Sequence, residues 1–123
     1  MTDQPAPKPL STPVFQILLS LADEELHGYA IIREIAERTA GEVRLTASTL
    51  YDAIKRLLDA RWIAEVSDRP VGVKDDPRRR YYRITPSGLN AARAEAARLE
   101  RLAAMARARL SPQLRPTSPG SDG

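Results

Sequence analysis

The sequence predicts a mainly α fold that carries a two-stranded β-hairpin and ends in one long helix. Three observations predict it. Four stretches repeat their apolar residues at the helical period of about 3.6. Two short stretches, 63–66 and 78–84, are strand-like instead. Hydroxyl residues followed by proline, Ser11-Thr12-Pro13 and Thr85-Pro86, supply helix starts ahead of the first and last helical stretches.

Residues 1–10, MTDQPAPKPL, hold prolines at 5, 7 and 9 and read as a loose arm. Ser11 or Thr12 caps the first helix, whose apolar stripe is Val14, Ile17, Leu18 and Leu21, and the acidic run at 23–25 closes it. A second helix begins near His27-Gly28, turns Ile31, Ile32, Ile35 and Ala36 inward and stops at Gly41. The extended piece EVRL leads to Thr46, a good N-cap for a third helix. That helix has an inner face of Leu50, Ala53, Ile54, Leu57 and Leu58, and a polar face of Ser48, Asp52, Lys55 and Asp59 with Tyr51 at the boundary. Residues 67–77, SDRPVGVKDDP, form the turn between the two strands. A long helix follows over about 86–110, and residues 111–123 read as a disordered tail. Three helices, a hairpin and a long helix make a winged helix-turn-helix, assigned to residues 11–85, with the last helix as an appendage.

Composition narrows the chemistry. The 123 residues include no cysteine and one histidine, which excludes a disulfide scaffold and a thiol nucleophile and leaves almost nothing for a Cys/His zinc site. No glycine-rich phosphate loop or catalytic constellation assembles, so neither an enzyme nor a cofactor is expected. Asp75-Asp76 is a metal pair only on paper, because it lies beside a run of arginines. No apolar run approaches the roughly 20 residues needed to span a bilayer, and the expected location is cytoplasmic. The net charge is +3, and residues 69–83 carry six basic side chains against two aspartates. The hairpin therefore holds more than the whole surplus. A basic hairpin is often only a protected sheet edge; directly behind a capped helix with a polar Ser/Tyr/Lys face, it completes a two-part grip on double-stranded DNA.

Three stretches, HGYAIIREI (27–35), STLYDAIKRLLDARWI (48–63) and RRRYYRITPSG (78–88), resemble the PadR-type transcriptional regulators in order and spacing. The resemblance implies a winged helix-turn-helix homodimer that binds a palindromic operator and represses transcription. The DNA-facing residues it implies are Thr46, Ser48, Thr49, Tyr51, Asp52 and Lys55 on the recognition helix, and Lys74, Arg78, Arg79 and Arg80 on the wing. Two departures from the family pattern stand out. Asp52 puts a carboxylate between Ser48 and Lys55, where it repels phosphate but can accept from a cytosine amino group. Arg61-Trp62 replaces the usual glycine and aliphatic residue, so the helix exit must avoid a left-handed residue or accept about 1 kcal/mol of strain.

Other residues have plainer readings. His27 is a helix-entry residue, Tyr29 packs beneath the second helix, Tyr82 is core, and Tyr81 is a wing contact or rim residue. Trp62 is core or hairpin packing. In the long helix Leu89, Ala92, Ala96, Leu99, Ala103, Ala106 and Leu110 are spaced 3-4-3-4-3-4, a heptad seam with small residues. Its first half can pack on the chain's own first helix; the rest outruns so small a domain and calls for a second copy related by two-fold symmetry. The alternative function is a winged-helix interaction module that dimerises and binds an acidic protein. A small apolar or aromatic effector is a further expected partner, implied by the resemblance. The long helix carries no aromatic residue, only Leu102, Met105 and the seam alanines, with Phe15 nearby, so weak, shape-tolerant binding or no effector is expected.

Overall fold

A computed structural model describes residues 8–66 and 80–112. Four helices surround a small sheet: α1 (Thr12–Asp23), α2 (Gly28–Arg38), α3 (Ala47–Asp59) and α4 (Pro86–Leu110), with strands β1 (Leu26–His27), β2 (Ile63–Val66) and β3 (Tyr81–Ile84). The local chemistry explains each helix start. Ser11, Thr46 and Thr85 accept from the backbone N–H three residues on, and His27 does the same for Ala30 through Nδ1. Pro13 and Pro86 stand in first turns, where no amide is missed.

Two of the helix ends share one geometry. At the end of α2 the Gly41 N–H donates to Ala36 O and the Ala40 N–H to Glu37 O. At the end of α3 the Trp62 N–H donates to Leu57 O and the Arg61 N–H to Leu58 O. Both are paired closures that need a left-handed residue just past the cap, and here non-glycine residues supply it: Ala40 at φ 53° and Arg61 at φ 62°. Arg61 thus accepts the strain. At the other end the stop is at Ala40, one residue before the glycine expected to provide it, although Gly41 is also left-handed at φ 83°.

α1 runs through the middle of the domain, with Ile17 and Leu18 wholly buried against Ile31, Ile35, Leu50, Leu57, Ile63 and Tyr82. The sheet has three strands in the order β1-β3-β2, all antiparallel, rather than the two of the expected hairpin. Leu26 pairs with Tyr82 and His27 with Tyr81, while Ile63 pairs with Ile84 and Val66 with Tyr81. A two-residue strand has no periodicity to betray it; β1 exists because β3 offers a free edge at the point where the chain enters α2. The His27 ring meets the Tyr81 ring edge-on at 5.3 Å and 89°.

A polar clasp joins α1 and α2. Arg38 donates to both carboxylate oxygens of Glu34, to the Gln16 side chain and backbone carbonyl, and to Ser20 Oγ, and Ser20 in turn donates to Glu34. A second polar pair lies under α4. Glu95 is only 4% exposed and takes two bonds from Arg98. The guanidinium holds the Glu95 carboxyl below its usual range against the opposing effect of burial, with the Leu10 N–H assisting. Leu10, assigned from sequence to the loose arm, is therefore tied down and packs against the core.

Two expectations follow from these contacts. Arg61→Gly should stabilise the fold by about 1 kcal/mol by relieving the left-handed strain, seen as a higher urea midpoint at unchanged slope. A lower midpoint would mean that the Arg61 side chain contributes more than its backbone costs. The Arg38 hydrogen bond and then Ser20 hold the Glu34 carboxyl below its ordinary value. A carboxyl lowered by folding contributes stability above its unfolded pKa and loses it as pH falls through the folded one. Glu34→Gln should accordingly lose less thermal stability than the parent between about pH 6 and pH 3; parallel melting curves would remove the clasp from the acid response.

Candidate nucleic-acid interface

The candidate interface is built on α3. Leu50, Ala53, Ile54 and Leu57 are buried, and this anchors one face of the helix against α1 and α2. The opposite face is exposed from Thr46 through Ser48, Thr49, Tyr51 and Asp52 to Lys55, so the structure brings every expected recognition-helix residue to one surface. Thr46 is partly committed: it caps the helix by accepting from the Thr49 N–H, and its hydroxyl donates to the Thr49 hydroxyl at 3.0 Å. Arg56 is also exposed beside Lys55, and Arg44 just before the helix, two cations beyond those expected at this face. Their signal was available, since both fall outside the apolar stripe.

Tyr51 is 52% exposed, and its ring leans across the start of α2 instead of standing clear of the domain. The ring also lies near Tyr82, whose phenol is pushed above its ordinary value first by burial and then by the fields of Glu65 and Tyr51. Tyr29 is a correction. Expected beneath α2, it is 72% exposed. The buried positions of α2 are Gly28, Ile31 and Ile35, and a residue two before Ile31 stands about 200° away from it around the helix.

Of the expected wing residues, Lys74, Arg78 and Arg79 lie outside the described residues. Arg80 is exposed at the foot of β3 and pairs with Glu65 of β2 at 3.8 Å, across the strands that carry the wing. Most of its side chain is open to water, so this pair leaves the cation available at small energetic cost.

The first half of α4 packs on its own chain against α1, as expected of it. The residues it buries in its own chain are Gly88, Ala92 and Glu95. Ala92 thus belongs to its own core and is not free for a partner, Leu89 is half-buried, and Ala96 is exposed. The buried positions are 88, 92 and 95, and the same spacing carried on along the helix reaches the exposed Leu99, Leu102 and Ala106. From Leu99 onward every residue of the helix is exposed, including Ala103, Ala106 and Leu110, together with Leu102 and Met105.

Trp62 is half-buried and packs against the core as expected. It also borders a cavity of about 330 Å³ with Leu10, Ala91, Ala94 and Glu95. α4 thus has an aromatic neighbour after all, contributed by the segment that leaves α3. Among the described residues no cluster of three potential metal ligands occurs, and no helix is long and apolar enough to cross a membrane.

Comparison with known proteins gives a consistent picture. Residues 17–94 match the transcriptional regulator PadR-like family. An uncharacterised protein of Lysinibacillus sphaericus is 36% identical over 73 residues, which amount to 58% of this chain and 63% of that protein, so the match spans less than two thirds of that relative. A PadR family transcription regulator from Clostridium difficile superposes with a TM-score of 0.70 at 22% identity, covering 82% of this chain and all of that one. Bacillus subtilis PadR in complex with operator DNA gives a TM-score of 0.56 at 24% identity, covering 69% of this chain and 46% of that one. At these identities the two structures establish a shared fold.

Proposed function

The chain belongs to the PadR-like family of transcriptional regulators, and on that premise we propose that it is a homodimeric repressor of a palindromic operator, with α3 as its recognition helix. One observation carries the proposal: α3 is anchored by the buried Leu50, Ala53, Ile54 and Leu57 and presents a polar face with Tyr51, Lys55 and Arg56 exposed. A helix so held can enter a major groove as a rigid body. The wing would supply phosphate contacts beside it, with Arg80 at its base and Lys74, Arg78 and Arg79 beyond. Bacillus subtilis PadR, solved in complex with operator DNA, shares the fold.

Dimerisation rests on α4. At about 1.5 Å per residue its 25 residues extend about 37 Å, and the last 12 of them are all exposed. Leu99, Leu102, Met105 and Leu110 are large apolar residues left open along this projection. A second copy would cover them by two-fold symmetry and set two recognition helices about one helical turn of DNA apart, roughly 34 Å. An apolar effector would find Trp62 at the cavity between α4 and the exit of α3.

The deciding experiment is selection of bound duplexes from a random pool, where one palindromic motif supports the proposal and the absence of any enriched motif ends it. On the selected duplex, Tyr51→Phe and Lys55→Ala should each weaken binding by about 1–3 kcal/mol with unchanged melting temperature; full affinity in both variants would remove α3 from the interface. Leu102→Glu should give monomers in sedimentation, because two unpaired carboxylates would be buried at the two-fold contact at a cost of about 3 kcal/mol or more. A dimer that survives the substitution would place the contact elsewhere.

A further inference from the structure

Gly28 is the first residue of α2 and is buried. Its backbone is not left-handed, since Gly41 is the positive-φ glycine among the described residues. Nothing in the backbone therefore calls for glycine, and alanine is the better helix former. What a side chain here would meet is α3, where it would have to push the Tyr51 ring aside. A Cβ on Gly28 would lie 2.6 Å from Tyr51 Oη, 3.1 Å from Tyr51 Cζ and 3.1 Å from Leu50 Cδ2. The closest of these is far inside van der Waals contact, and it falls on the one atom through which Tyr51 can hydrogen-bond to a ligand.

We infer that Gly28 is a positioning residue for the DNA interface: its missing side chain is the seat that holds the Tyr51 ring against α2 and aims the hydroxyl. Seated this way the ring has fewer orientations to lose on binding, so contact with a phosphate or base edge costs less entropy. The same residue follows His27, which pairs with Tyr81 in β3 and caps α2. The Tyr51 seat is thereby built on the strand that carries the wing, and the two halves of the interface share one foundation. This inference rests on the proposed role of α3 in DNA binding, but the seating of the ring can be tested without DNA.

The test is a double-mutant cycle of Gly28→Ala and Tyr51→Ala in the full chain, read by thermal melting, by ring resonances of ¹³C-tyrosine-labelled protein and by affinity for the selected duplex. Gly28→Ala should shift the Tyr51 ring resonances in free protein and weaken binding by about tenfold or more. In the Tyr51→Ala background the same substitution should change affinity by less than about twofold, because no ring remains to displace. Equal losses in both backgrounds would show that the substitution acts through Leu50 and the core, and would overturn the inference. So would an unmoved Tyr51 ring, or a Gly28→Ala protein that fails to fold with Tyr51 and still fails without it. If the parent protein enriches no duplex while the ring shifts as expected, the seat stands and the proposed DNA role falls.

Discussion

The close approach of α4 to the end of α3 is the constraint on which the rest of the molecule depends. A Cβ on Gly88 would meet the Trp62 carbonyl oxygen at 2.0 Å, so only glycine lets the first turn of α4 sit on that peptide. Around it, the Thr85 N–H donates to Trp62 O, the Thr85 hydroxyl donates to Arg61 O, and the Gly88 N–H donates back to the Thr85 hydroxyl. One residue thus caps α4 and fastens it to the chain leaving α3. The left-handed Arg61 is held inside this stitch, which helps to explain how a strained, non-glycine residue persists there.

The stitch has geometric consequences. β2 starts at Ile63, immediately beyond it, and β3 ends at Ile84, immediately before Thr85, so the two strands are gathered at this point and open away from it. The end of α3, the paired ends of β2 and β3 and the start of α4 meet in one small region, joined by a few hydrogen bonds and one missing methyl group. The cavity beside Trp62 therefore lies against the chain that leaves α3. Polar groups stiffen the surroundings: Glu95, paired with Arg98 of its own helix, ties α4 to the Leu10 N–H, and the Arg38 clasp fixes α2 to α1. Such fully paired partly buried groups specify one arrangement of helices where apolar contacts alone tolerate several.

Much of this was legible in the sequence because its signals are local. Caps at Ser11, Thr46 and Thr85 and apolar spacing such as Leu50-Ala53-Ile54-Leu57 are written within a few residues of the structure they specify. They placed all four helices and the two longer strands, and they set the exposed face of α3 apart from its core face. The same stretches carried the family resemblance, which the comparisons bear out.

What only tertiary structure decided are the features whose cause lies elsewhere in the chain. Leu26-His27 becomes a strand because β3 provides an edge, and two residues cannot announce that by themselves. Tyr29 faces outward because Gly28, Ile31 and Ile35 fix the phase of α2, while the pairing of Glu95 with Arg98 and Leu10 sets the phase of α4 at a charged position that patterning would send to the surface. Gly28 and Gly88 both look like ordinary small residues at helix starts. Their reasons, the Tyr51 ring and the Trp62 carbonyl, lie more than twenty positions away in sequence and become neighbours only through folding. Periodicity and capping report what a residue prefers; which neighbour stands opposite it is fixed by packing, and packing gave these glycines their work.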